Sequence, residues 1–141
     1  LTPHPGEAGR LLACSTAQVE GDRPAAARAL QQRYGGVIIL KGAGTLVAGP
    51  DGMAVCPYGN PGMASGGMGD VLSGMLGALL AQGLPLEQAA RAGVVVHALA
   101  ADLAVRETGE RGLLAADLAS YARILVNPGC VAGDHWGAED R

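Results

Sequence analysis

The sequence predicts an α/β fold, and three observations carry that expectation. The aliphatic run Val37-Ile38-Ile39-Leu40 lies between glycines and ends on Lys41. Such a run is the mark of a short strand buried on both faces, as in a parallel sheet. Two further short runs, 45–49 and 53–56, flank Pro50-Asp51-Gly52, which is hairpin-turn chemistry. Ala-rich segments with helical spacing surround these strands. The expected architecture is a parallel sheet with a β-hairpin, closed by a run of helices.

The elements follow in order. Thr2-Pro3-His4-Pro5-Gly6 reads as a loop, because two prolines remove backbone donors. A short helix is expected over 7–13, with Glu7 in the first turn, where the helix dipole favours an acid. The stretch 24–34 reads as a helix that Pro24 opens and Gly35 or Gly36 ends. The strand 37–41 and the hairpin 45–56 come next. Residues 60–69 are loop by composition. Over 70–81, Leu72, Leu76, Leu79 and Leu80 form an apolar stripe on a helix. Its other face, Asp70, Gly74, Gly77 and Ala81, is almost bare. Helices are expected over 86–107 and 115–126, the latter with Asp117 in its first turn. Residues 127–141 form an irregular tail, and the whole of 1–141 reads as one domain.

Composition narrows the function classes. The 141 residues contain 23 glycines and no Phe, and only 3% are aromatic, so small-residue packing replaces a bulky core. The net charge is −3 with scattered Lys and Arg, so no basic stripe offers a nucleic-acid footprint. Cys14, Cys56 and Cys130 form no paired motif, which argues against a zinc site or a disulfide framework. They read as small hydrophobes in a reducing, cytoplasmic compartment. The apolar helix candidate 71–81 is too short for a bilayer, and the opening LTPHPGE carries no leader pattern.

The chemistry gathers at Gly66-Gly67-Met68-Gly69-Asp70. A helix N-terminus carries unpaired N–H groups and a partial positive charge. A glycine lead-in lets backbone amides reach an anion. An acid there repels phosphate, unless it takes a proton from a hydroxyl that attacks a phosphoryl group. The bland alternative is an Asp that caps a helix after a glycine turn, and the sequence leaves both open. The spacing matches neither the phosphate-loop nor the dinucleotide fingerprint. Lys41 stands at a strand's C-terminal end before Gly42-Ala43-Gly44-Thr45, a place suited to nucleotide phosphates or to a solvated lysine. His4, between two prolines, reads equally as a ligand contact or a turn residue. His97 faces Ala90, Gly93, Ala100 and Ala104, and reads as a packed histidine. Glu7 reads as a helix-dipole acid, and His135 carries no weight.

Three segments, LTPHPGEAGRLL (1–12), VIILKGAGTLVAGPDG (37–52) and GNPGMASGGMGDVLSGMLGALLAQG (59–83), resemble in order and spacing the ADP/ATP-dependent NAD(P)H-hydrate dehydratases of the ribokinase-like superfamily. The likeness covers 1–118, including AARAGVVVHALAADLA (89–104). It implies the C-terminal part of a three-layer α/β/α fold. It also implies repair chemistry: a hydroxyl on a hydrated nicotinamide ring is phosphorylated from ADP or ATP with Mg2+, and phosphate is eliminated to restore NADH or NADPH. On that resemblance Asp70 is the base and touches the hydrated NAD(P)H, together with His4. Lys41, Gly42, Ala43, Gly44, Thr45 and Gly69 bind the adenine nucleotide. No resident metal ligands are implied. Met68 stands where the family often has Thr, so a hydroxyl contact to phosphate is lost. The family's domain also has an earlier half, which implies a larger chain or a second polypeptide, and members often form homo-oligomers. Two other readings stay open: a kinase of a small alcohol, and an inactive nucleotide-binding module. The PHPGE loop favours the dehydratase over the simple kinases.

Overall fold

The computed structural model describes residues 1–127. Helices α1 (Pro5–Leu12), α2 (Thr16–Gly21) and α3 (Arg23–Tyr34) come first. Strands β1 (Ile38–Leu40), β2 (Thr45–Gly49) and β3 (Gly52–Cys56) follow. Helices α4 (Met68–Ala81), α5 (Leu86–Thr108) and α6 (Leu118–Leu125) end the described chain, with single 3-10 turns at Pro61–Met63 and Ala115–Asp117. Except for Asn127, the expected irregular tail lies outside the described residues, and so do Cys130 and His135.

The expected parallel sheet is corrected. β1, β2 and β3 lie in that order, and both pairings are antiparallel, with Ile39 opposite Val47 and Val47 opposite Ala54. The reason is the short connection: residues 41–44 can only turn the chain back beside β1, whereas a parallel return needs a crossover of a dozen residues or more. Parallel-type bonding does occur on β1's other edge. The Leu1 ammonium donates to the Val37 carbonyl at 2.9 Å, and Ile39 N–H donates to the Leu1 carbonyl at 2.8 Å. Lys41 N–H donates to the Pro3 carbonyl at 2.9 Å. This ladder fixes the Pro3-His4-Pro5 corner beside Lys41.

Burial of the strand run on both faces is observed, and it makes three layers. Ile38 and Leu40 point to one side, where Leu46 and Ala48 join them against Ala8, Val19, Ala27 and Leu30 of α1, α2 and α3. Val37, Ile39 and Val47 point to the other side, against Leu72 of α4 and Ala90, Val94 and Ala98 of α5. Ala-rich helix faces let the helices approach the sheet closely, so the small aromatic content costs no core. A third cluster joins Met68, Ala100, Ala101, Ala104, Leu113 and Leu118 where α4, α5 and α6 meet.

Other boundaries shift in informative ways. α1 begins at Pro5, because His4 and Glu7 form a reciprocal cap. α2 is unforeseen; it has no apolar period, and its visible signal is the Ser15–Gln18 capping box. α4 begins at Met68, so Asp70 is its third residue and not its first. The stretch 115–126 divides into a 3-10 turn and α6, which leaves Asp117 at the junction. The longest apolar helix among the described residues is α5, with 23 residues, and the 71–81 candidate is part of α4. α5 is long and apolar enough to cross a membrane by length and composition. Half of that apolar window is buried in the fold, as befits a core helix.

Candidate functional site

A cavity of about 650 Å³ opens between the β1–β2 turn, the segment after β3 and the first turns of α4. Lys41, Gly42, Ala43, Gly44 and Thr45 line one side, and Met68 and Gly69 line another. Pro57-Tyr58-Gly59-Asn60, Met63, Leu72, Val94, His97 and Ala98 complete the wall. The structure thus brings together all six residues expected to serve an adenine nucleotide. Their separation of some 25 positions in the chain is closed by β2 and β3, which return the chain to the end of β1.

Two sets of backbone amides are available there. At the start of α4, Gly67 adopts φ +86°, the left-handed region open to glycine, and acts as N-cap without a side-chain cap. Asp70 and Val71 N–H both donate to the Gly67 carbonyl at 3.0 Å. The amides of Met68 and Gly69 have no partner among the described residues. In the β1–β2 turn, the amides of Gly42, Ala43 and Gly44 are also without a partner among the described residues. Unpaired amides beside a helix N-terminus form a ready anion seat.

The Lys41 ammonium joins these two sets. It comes so close to α4 that a Cβ on Gly69 would lie 2.8 Å from Nζ. Its counter-ion is Glu7, at 3.7 Å from Oε2. Glu7 is itself held by the α1 cap, where Oε2 accepts from His4 N–H at 2.7 Å. That backbone bond is the main cause that lowers the Glu7 pKa; burial opposes it, and the Lys41, His4 and Arg10 charges add to it. Glu7 therefore does more than complement a helix dipole. It links the PHPGE corner to the lysine on the cavity wall.

His4 does not line the cavity. Its Nδ1 accepts from Gly6 and Glu7 N–H at 3.1 and 3.3 Å, and Nε2 stands 3.6 Å from Glu7 Oε1. As N-cap it satisfies the turn-residue alternative, with half of its side chain exposed. Asp70 is exposed and is not part of the cavity wall, although its neighbour Gly69 is. Its carboxylate takes no hydrogen bond from its own helix amides, so it is not occupied as a cap. Gly74 and Gly77 have open space where a side chain would stand, so the bare face of α4 runs on from Asp70 unobstructed.

Sequence reasoning missed two residues. Asp102 of α5 accepts from Gly59 N–H and Asn60 Nδ2, both at 2.9 Å, and so pins the wall segment 59–60. The only hint in the sequence is an acid amid the alanines of AADLA. His97 is buried as expected, yet it is also on the cavity wall. Burial lowers its pKa; the neighbouring Met68 backbone opposes this, and the Lys41 charge reinforces it. Its Nε2 is buried without a hydrogen-bond partner among the described residues.

The family model for NAD(P)H-hydrate dehydratases, Carb_kinase, matches residues 1–123. This chain belongs to the NAD(P)H-hydrate dehydratase family. Over 127 residues it is 61% identical to a bifunctional NAD(P)H-hydrate repair enzyme of Vibrio cholerae, covering 90% of this chain and 26% of that protein. It is 50% identical over 129 residues to an ADP-dependent (S)-NAD(P)H-hydrate dehydratase of Neisseria meningitidis, covering 90% of this chain and 44% of that one. The fold matches a Bacillus subtilis ADP/ATP-dependent NAD(P)H-hydrate dehydratase crystallised with ATP and Mg2+. The TM-score is 0.84 and the identity 33%, over 89% of this chain and 46% of the other. A ribokinase-like superfamily protein of Enterococcus faecalis matches with TM-score 0.74 and 29% identity, over 88% of this chain and 42% of that one. The chain thus spans about a quarter of the bifunctional relative and under half of the other three proteins. The α/β, ribokinase-like fold and the family expected from the three motifs both stand.

Proposed function

We propose that this chain supplies the nucleotide-phosphate side of a nucleotide-dependent NAD(P)H-hydrate dehydratase. One observation carries the reading: Lys41 lies against the first turn of α4, flanked by unpaired amides of the β1–β2 turn, on one 650 Å³ cavity. Such an array stabilises charge on a transferring phosphoryl group. Apolar Met63, Leu72, Val94 and Ala98 suit the base, and the glycine turn and α4 suit the phosphates of ADP or ATP. The ring hydroxyl of the hydrated NADH or NADPH is phosphorylated, and phosphate then leaves together with a proton from the neighbouring ring carbon, which restores the double bond of the reduced ring. Asp70 takes the hydroxyl proton, and His4 and Asp70 face the hydrated cofactor outside the cavity mouth.

Magnesium fits as a companion of the nucleotide and not as a resident ion. Among the described residues no group of three His, Cys, Asp or Glu could hold a metal. The nucleotide's own phosphates and water would hold such an ion, which needs few protein ligands. When bound, it neutralises phosphate charge. In this reading the longer relatives' additional chain closes the substrate side, and a homo-oligomer is compatible with that arrangement. A cytoplasmic location suits Cys14 and Cys56, which are unpaired among the described residues.

The test is incubation with hydrated NADH, ADP or ATP and Mg2+, watching for the absorbance of the reduced ring. Return of that band, dependent on nucleotide and abolished in Lys41→Met, is the expected result. Phosphorylation of a simple alcohol instead would favour the kinase reading. A second reading, a nucleotide-binding module without turnover, draws support from the position of Asp70 and His4 off the cavity wall. Nucleotide binding with no band would favour it.

A further inference from the structure

Arg23 opens α3, on the opposite face of the sheet from α4, and no acid lies within ion-pair distance of it among the described residues. Its guanidinium reaches under the β1–β2 turn. Nη1 donates to the Ala43 carbonyl, and Nη2 donates to the Leu40 and Lys41 carbonyls at 3.3 and 3.4 Å. The remaining turn carbonyl, that of Gly42, accepts from Thr45 Oγ1 at 3.1 Å. Every carbonyl from 40 to 43 therefore has a donor on the protein side. The amides of Gly42, Ala43 and Gly44 have none among the described residues, and all three residues line the cavity. Gly42 sits at φ +141° with Nη2 only 2.9 Å from where a Cβ would be, so the turn lies directly on the fork.

We propose that Arg23 is the positioning residue of this turn, holding its carbonyls inward so that its amides stay free for the phosphates of a nucleoside diphosphate or triphosphate. A peptide plane cannot aim its carbonyl and its N–H at the same side. Fixing the Lys41 and Ala43 carbonyls on the fork therefore fixes the Gly42 and Gly44 amides towards the cavity, and Thr45 does the same for the Ala43 amide through the Gly42 carbonyl. A planar fork with fixed donors suits three carbonyls in one turn better than a lysine does. The positive charge behind the turn also adds to the field that a phosphate would feel, although Arg23 does not line the cavity. This inference rests on the nucleotide reading above and adds what holds the anion seat in shape.

The experiment is calorimetric titration of the full chain with Mg–ADP, for the wild type, Arg23→Lys and Arg23→Met, with thermal unfolding measured without nucleotide. Arg23→Met keeps the stem but loses the fork and should weaken ADP binding by about tenfold or more. Arg23→Lys should recover part of that loss through charge alone. Hydrogen exchange supplies the readout that a merely structural role would not move. ADP should slow exchange at residues 42–44 in the wild type and do so much less in Arg23→Lys. Binding within about twofold of wild type in Arg23→Met overturns the proposal. If Arg23→Met does not fold, ADP protection of 42–44 in Arg23→Lys equal to wild type overturns it instead. Absence of ADP binding in a folded wild type overturns the nucleotide reading and this inference with it, whereas loss confined to the variants supports both.

Discussion

Replacing Gly69 with Ala gives opposite signs for stability and ligand binding. Gly69 is the second residue of α4, with no left-handed φ, so its backbone accepts a side chain. Ala there removes the entropy cost of glycine in a helix, a gain of about 0.5–1 kcal/mol, less near the terminus. The new Cβ would stand 2.8 Å from Lys41 Nζ and 4.0 Å from Cε. The ammonium must retreat by roughly 0.7 Å to reach an ordinary contact of about 3.5 Å. This is cheap for the fold, because a lysine head is mobile, but it moves the charge away from the phosphate seat proposed above. A charged hydrogen bond is worth about 1.5–3 kcal/mol, and loss of half corresponds to a three- to twelvefold weaker ADP complex, roughly. Denaturant unfolding and ADP titration read the two effects separately. In a Lys41→Met background the same substitution should cost no affinity, since the two residues are in contact and couple. A Gly69→Ala protein that binds ADP as wild type does, or an equal loss in the Lys41→Met background, refutes the reasoning.

The other predictions rest on single groups. Asp70→Asn should lower hydrate-dependent turnover by about 10²–10⁴ while ADP affinity stays equal or improves, since a like charge beside phosphate is removed; unchanged turnover contradicts the proton-taking role. Burial lowers the His97 pKa, so near pH 6.5 the unfolded chain binds this proton more readily than the folded chain does. Stability should therefore fall as pH drops below 6.5, by at most about 1.4 kcal/mol per pH unit, and that slope should shrink in His97→Asn. Glu7 acts in a lower window. Its lowered pKa stabilises the fold above the ordinary value of 4.5 and loses that effect as pH falls through the folded value. A Glu7→Gln protein should show a flatter acid limb below 4.5 in equilibrium unfolding. Leu30, fully buried between α3 and the sheet, should cost about 2–5 kcal/mol as Leu30→Ala, read from the denaturation midpoint.

The elements that the sequence specified by itself were those with local causes. Val37 to Leu40 is aliphatic throughout, so it had to be buried on both faces. Pro50-Asp51-Gly52 had to turn the chain, because few other sequences suit that geometry. The glycines at the start of α4 suited an anion seat and a plain helix cap alike, whereas the three motifs announced the family. What only the tertiary structure decided depends on which elements meet. The sheet became antiparallel because a four-residue turn cannot cross over. Lys41 became a bridge between Glu7 and α4 because Pro3 pairs with β1 and draws the PHPGE corner to the strand's end. Arg23 and Asp102 look like ordinary helix charges in the chain. They become the clamps of two cavity walls only when α3 and α5 lie on opposite faces of the sheet, because a side chain's hydrogen-bond partners at long sequence separation are set by packing and not by spacing.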